Sequence, residues 1–162
     1  MLNFLVKPDT DTRTLDRFYL PAKQVADLDL QGKAVQDFIR LLKTNNVTVD
    51  PTLATFDFLK KTDGTVGDPW LAIIKHLPPD VQRSYARAEL DIPDEATAQR
   101  YAKSYAKMVE FVGMMYKAGI PVVAGTDELA GFTLQGELEL LVKAGLTAAE
   151  ALQVATCLLY TS

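Results

Sequence analysis

Asp127 is the residue of this chain best placed to do chemistry. It closes the run Ile-Pro-Val-Val-Ala-Gly-Thr-Asp at positions 120–127, where apolar, largely β-branched residues give way to Gly, Thr and a carboxyl. A short apolar run with that ending reads as a buried parallel strand delivering an acid to the rim of a sheet or barrel. An acid held there can take a proton from an attacking water and return it to a departing amine. Gly125 and Thr126 let the backbone turn without bulk beside it. The competing reading makes Asp127 a cap or turn residue, a common role for Asp.

Other groups are weaker candidates. Thr52, at the end of the run 47–53, either lines a pocket or packs in the core. Glu128 either contacts substrate or belongs to the loop surface. Glu137 and Glu139 open a helix and could reach toward Asp127, with a solvated helix face the simpler reading for Glu139. His76, just before Pro78-Pro79, reads as an exposed helix histidine rather than a metal ligand. Asp9, Asp11, Arg13, Asp16 and Arg17 form either a lid or a solvated loop. Tyr101 and Tyr105 stand at helical spacing and read as core.

The elements that would position these groups follow from periodicity. Residues 1–6 read as a strand and 7–29 as a long loop. Residues 34–43 carry Val35, Phe38, Ile39 and Leu42 at helical spacing, ended by Asn45-Asn46. Residues 47–53 read as a strand that Pro51 must end, since proline donates no ladder hydrogen bond. Residues 60–69 look turn-like, 70–77 like a short helix, and 80–90 helical again. Residues 94–118 predict the longest helix, with Tyr101, Tyr105, Met108, Val112 and Met115 inward and Gly119 as its stop. After strand 120–124, one helix places Leu134, Leu138, Leu141 and Val142 on one face and closes at Gly145. Thr147 to Glu150 forms a capping box opening a last helix, with Leu152 and Ala155 inward. This alternation predicts a parallel α/β architecture.

Bulk properties narrow the function. The 162 residues are 48% hydrophobic and 23% charged, enough for a real core, and carry a net charge of −4. No basic stripe points to nucleic acid or an anionic membrane. A small-molecule substrate is the expected partner, with homo-oligomers allowed and the compartment left open. One cysteine, Cys157, excludes a disulfide framework, and no apolar run approaches the ~20 residues that span a bilayer. A single histidine cannot build a His-based metal or acid–base site by itself.

Residues 117–156, containing AGIPVVAGTDELAGFTLQGELELLVKAGLTAAEALQVAT, resemble the closing segment of metal-dependent amidohydrolases, nearest the imidazolonepropionase-type and prolidase-like branch. The Asp-Pro-Thr-Leu of 50–53 is similar to that family's strand seven. The resemblance implies the C-terminal part of a (β/α)8 TIM-type barrel, about strands six to eight, spanning residues 1–156. Residues 157–162 would then be a non-native or truncated tail. It further implies one or two divalent ions, zinc above all, held by a His-x-His, a carboxylated Lys or Glu, two more His and a last Asp. Only that last ligand is present, as Asp127, which would also be general base and proton shuttle. The implied activity is hydrolysis of a non-peptide or dipeptide C–N bond, by a parent protein of which this chain alone is inactive. The alternatives are a non-catalytic α/β binding or assembly module and an unrelated small α/β domain.

Overall fold

Helices build the chain in the computed structural model, which describes residues 11, 13–67, 70–128 and 132–157. Helix α1 (Asp16–Gln24) runs on into a 3-10 turn at Val25–Asp27. Helix α2 (Lys33–Thr44) follows, then 3-10 turns at Thr55–Lys60 and Ile74–His76. The remaining helices are α3 (Pro79–Tyr85), α4 (Glu95–Lys117), α5 (Thr133–Lys143) and α6 (Ala148–Thr156). None of the described helices is long and apolar enough to cross a membrane.

The α/β expectation fails, and with it the partial TIM barrel. Among the described residues there is no β-strand. The segments 47–53 and 120–124 meet only at one parallel bridge, Val49 with Val122. Val49 N–H donates to the Pro121 carbonyl at 2.9 Å, and Val123 N–H donates to the Val49 carbonyl at 3.0 Å. Extending the pairing in one direction needs the N–H of residue 51, and in the other the N–H of residue 121. Both are prolines, which have none. Two donorless residues thus hold the pair to a single rung. The third expected strand, 1–6, lies outside the described residues.

The chain divides into two compact units. The first comprises Met1–Leu28 and Phe56–Lys107. Here the expected loop 7–29 is corrected to α1 and its 3-10 extension, despite Pro21 inside the helix. Ala22, Val25 and Ala26 supply a buried face at helical spacing that the surrounding Asp, Thr and Arg obscure. The buried Ser104 hydroxyl of α4 clamps this segment. It donates to the Ala22 carbonyl at 2.6 Å and accepts from Ala26 N–H at 2.9 Å. Arg100, one turn earlier, bonds the Lys23 carbonyl and the Asp27 carboxyl. Trp70 is buried against the Tyr85 ring, with centroids 4.3 Å apart.

The second unit comprises Asp29–Thr55 and Met108–Ser162. Helix α2 buries Val35, Ile39 and Leu42, while Phe38 meets Phe111 at 6.2 Å. Helix α4 buries Met108, Val109, Phe111, Val112 and Met115, and each such side chain contributes about 1.5–3 kcal/mol. Gly119 ends it at φ 82°, with Ile120 N–H donating back to the Met115 carbonyl. The capping box of α6 forms as expected: Glu150 N–H donates to Thr147 Oγ1 at 3.2 Å, and Thr147 N–H to Glu150 Oε2 at 2.7 Å. Its inward face differs. Ala151 and Val154 are buried, whereas Leu152 is exposed and Ala155 half-buried.

Helix α5 also turns a different face inward. Thr133, Gly136, Glu137, Leu140 and Leu141 are buried, while Val142 is exposed and Leu134 and Leu138 are half-buried. The buried set keeps three- and four-residue steps but includes a carboxyl. That carboxyl belongs to the site.

Candidate functional site

The site lies in the second unit, where two turns leave the Val49–Val122 rung in the same direction. In a continued parallel ladder Gly125 N–H would reach the carbonyl of residue 51. It donates instead to the Asp50 side chain, Oδ1 at 2.9 Å. A Cβ added at Gly125 would stand 2.1 and 2.6 Å from the two Asp50 carboxyl oxygens, so only glycine admits this seat. Thr55 Oγ1 bonds the Thr126 carbonyl from the other side. The turn that presents Asp127 is therefore held by side chains of residues 50–55.

Both turns are strained. Thr52 has φ 44° and Asp127 φ 48°. For a β-branched residue such as Thr52 this is a genuine outlier, and each such residue costs of order 1–3 kcal/mol. Strain of this kind clusters where backbone must present a group in one orientation. Asp127 and Glu128 are exposed and Thr52 is half-buried.

Behind the turns stands Glu137, fully buried at 0% exposure. Its Oε2 accepts from Ala54 N–H at 2.7 Å, and its Oε1 has no hydrogen-bond partner among the described residues. Burial pushes the carboxyl from 4.5 up to about 7; the Ala54 and Leu53 N–H groups pull it down, and the Asp50 charge raises it further. A buried acid titrating near neutrality beside strained backbone is what acid–base sites use.

The sequence-derived candidates are sorted by this geometry. Thr52, Asp127 and Glu128 fall on the two turns, and Glu137 supports them. Glu139 is on the exposed side of α5. His76 is exposed on a 3-10 turn of the first unit, and Tyr101 and Tyr105 are core. Asp11 and Arg13 pair with each other at 3.0 Å on the surface, which lowers the Asp11 pKa chiefly through the Arg13 side chain; Asp9 lies outside the described residues. Sequence reasoning missed Asp50, whose signal was an acid directly before the strand-ending Pro51.

No group of three or more His, Cys, Asp or Glu able to hold a metal ion exists among the described residues. Of the ligands that the amidohydrolase resemblance implies for a divalent ion, this chain supplies Asp127. The first unit has a cavity of about 520 Å³ bordered by Asp63, Glu89 and Asp91. Two of those acids are already engaged, Asp63 by Ala88 N–H at 2.8 Å and Glu89 by Lys61 at 3.4 Å. Comparisons with protein families, with curated proteins and with solved structures give no match for this chain.

Proposed function

We propose that the Asp127 turn is the acid–base part of a hydrolytic site acting on a non-peptide or dipeptide carbon–nitrogen bond, and that this chain supplies part of the machinery. The observation that carries the reading is the single rung between Val49 and Val122, which sends both strained turns to one end of the paired segments. Exposed there, Asp127 can accept a proton as water adds to the carbonyl carbon. It can return that proton to nitrogen as the C–N bond breaks, leaving an acid and an amine. Thr52 and Glu128 are the residues beside it for substrate contact. The likeness of residues 117–156 to amidohydrolases supports the same chemistry. A divalent ion, which the same likeness implies, would lower the pKa of the attacking water beside Asp127.

One observation favours a second reading. An exposed Asp at φ 48° is also what an ordinary turn selects. In that case the unit is a binding or assembly module and Asp127 only shapes the turn.

The two readings separate by experiment. Calorimetry and amide-hydrolysis assays on the 162-residue chain alone should show no tight zinc binding and no turnover. In a polypeptide that carries this chain and turns over an amide or lactam, Asp127→Ala should lower kcat by at least about 100-fold, within the usual range for an acid–base residue. Helical content by circular dichroism should stay unchanged. Full turnover in that variant would leave only the turn role.

A further inference from the structure

We infer that Glu137 is a positioning residue for Asp127, acting through Ala54, Thr55 and Thr126. The inference deepens the hydrolytic reading of Asp127 and rests on it. Glu137 is on α5, 83 residues from Ala54 in sequence, yet one of its oxygens holds Ala54 N–H at 2.7 Å. The next residue, Thr55, bonds the Thr126 carbonyl through its hydroxyl. That carbonyl belongs to the peptide group whose N–H is Asp127's own. The path from the buried carboxyl to the strained backbone of Asp127 is thus two hydrogen bonds and one covalent step.

The path explains why a carboxyl sits inside an otherwise apolar face. Thr133, Gly136, Leu140 and Leu141 bury the rest of that face, so leucine at 137 would satisfy packing alone. Burying an acid with one oxygen unpartnered among the described residues is costly in apolar surroundings, a cost that packing alone gives no reason to bear. The Ala54 N–H would itself be an orphan without it. Ala54 follows the strained Thr52 by two residues, and this side chain ties its N–H to α5.

Nuclear magnetic resonance on the full 162-residue chain tests this without any turnover. Glu137→Ala should speed amide exchange at Ala54 by about 10-fold or more, the loss of one buried hydrogen bond. It should also shift the Asp127 amide resonance in the same direction as Thr55→Val, and the double variant should shift it no further. Glu137→Gln, whose amide oxygen still accepts from Ala54, should restore both readouts. Should Glu137→Ala lose its cooperative melt, Glu137→Asp, one methylene shorter, carries the same expectation. An unmoved Asp127 amide in Glu137→Ala or Glu137→Asp, with Thr55→Val moving it, would make Glu137 a purely structural group. Failure of Glu137→Gln to rescue would also overturn the inference. Loss of the hydrolytic reading is scored separately, by turnover in Asp127→Ala.

Discussion

Gly113→Ala is expected to destabilise the second unit by about 3 kcal/mol, at the upper end of what overpacking does. Gly113 is where α4 passes the end of α5, and a Cβ there would stand 1.9 Å from the Ala144 carbonyl oxygen and 2.9 Å from its carbon. The obstruction is backbone rather than the tip of a flexible side chain. Relief therefore requires one helix end to move, which strips contacts from Met115 and Leu141, both fully buried. Alanine's better helix propensity returns less than about 1 kcal/mol. In a chain of this size the melting temperature should fall by roughly 6–12 °C. Scanning calorimetry measures it, and a midpoint within about 2 °C of the parent would show that the helices are not in contact at this point.

Stability should also fall as pH rises from about 4.5 to about 7, by an amount that Glu137→Gln removes. Glu137 has its pKa raised from 4.5 to about 7 in the fold, chiefly by burial. The unfolded chain therefore releases this proton first, and between the two values it binds fewer protons than the folded chain. Unfolding free energy then declines with pH across that window. The contribution is complete below 4.5 and gone above about 7. At 1.36 kcal/mol per pKa unit, the full effect is about 3 kcal/mol. Exposed acids with lowered pKa values, such as Asp27 beside Arg100 and Asp94 accepting from Thr97, act in the opposite sense at lower pH. The informative quantity is thus the difference between parent and Glu137→Gln in urea titrations at pH 5 and pH 8. Parallel pH profiles would show that the carboxyl is not buried as described.

Helix α4 and the capping box of α6 were legible in the sequence because their signals are local: a long three- and four-residue repeat, a glycine stop, and Thr147 with Glu150. The fold class was not. Residues 120–124 have the composition of a buried strand, and Pro51 removes the donor that would lengthen the pair from one end. The second proline, Pro121, removes the donor that would lengthen the pair from the other end. Single-residue hydrogen-bond accounting, rather than apolar composition, decided between a strand and one rung. Helix α1 was hidden for the opposite reason, since Pro21 and a polar neighbourhood masked Ala22, Val25 and Ala26. At the site, Asp127 was visible from its place at the end of an apolar run. Glu137 reads from sequence only as a group reaching toward the site, because Leu134, Leu138, Leu141 and Val142 suggest a different inward face. Its burial depends on an N–H supplied from residue 54, which no local pattern encodes.

The lone rung between residues 49 and 122 has a consequence for alignment. Sliding one segment by two residues so that 51 faces 122, and 49 faces 120, would demand amide donors from both prolines at once, so that slip is closed. The reverse slip, setting 49 against 124, would demand the Gly125 N–H that Asp50 already holds. A pair of imino acids acts as the stop on one side and a carboxyl as the catch on the other. A contact one residue long thereby keeps a unique registry that a longer, uninterrupted ladder would have to obtain from its side chains.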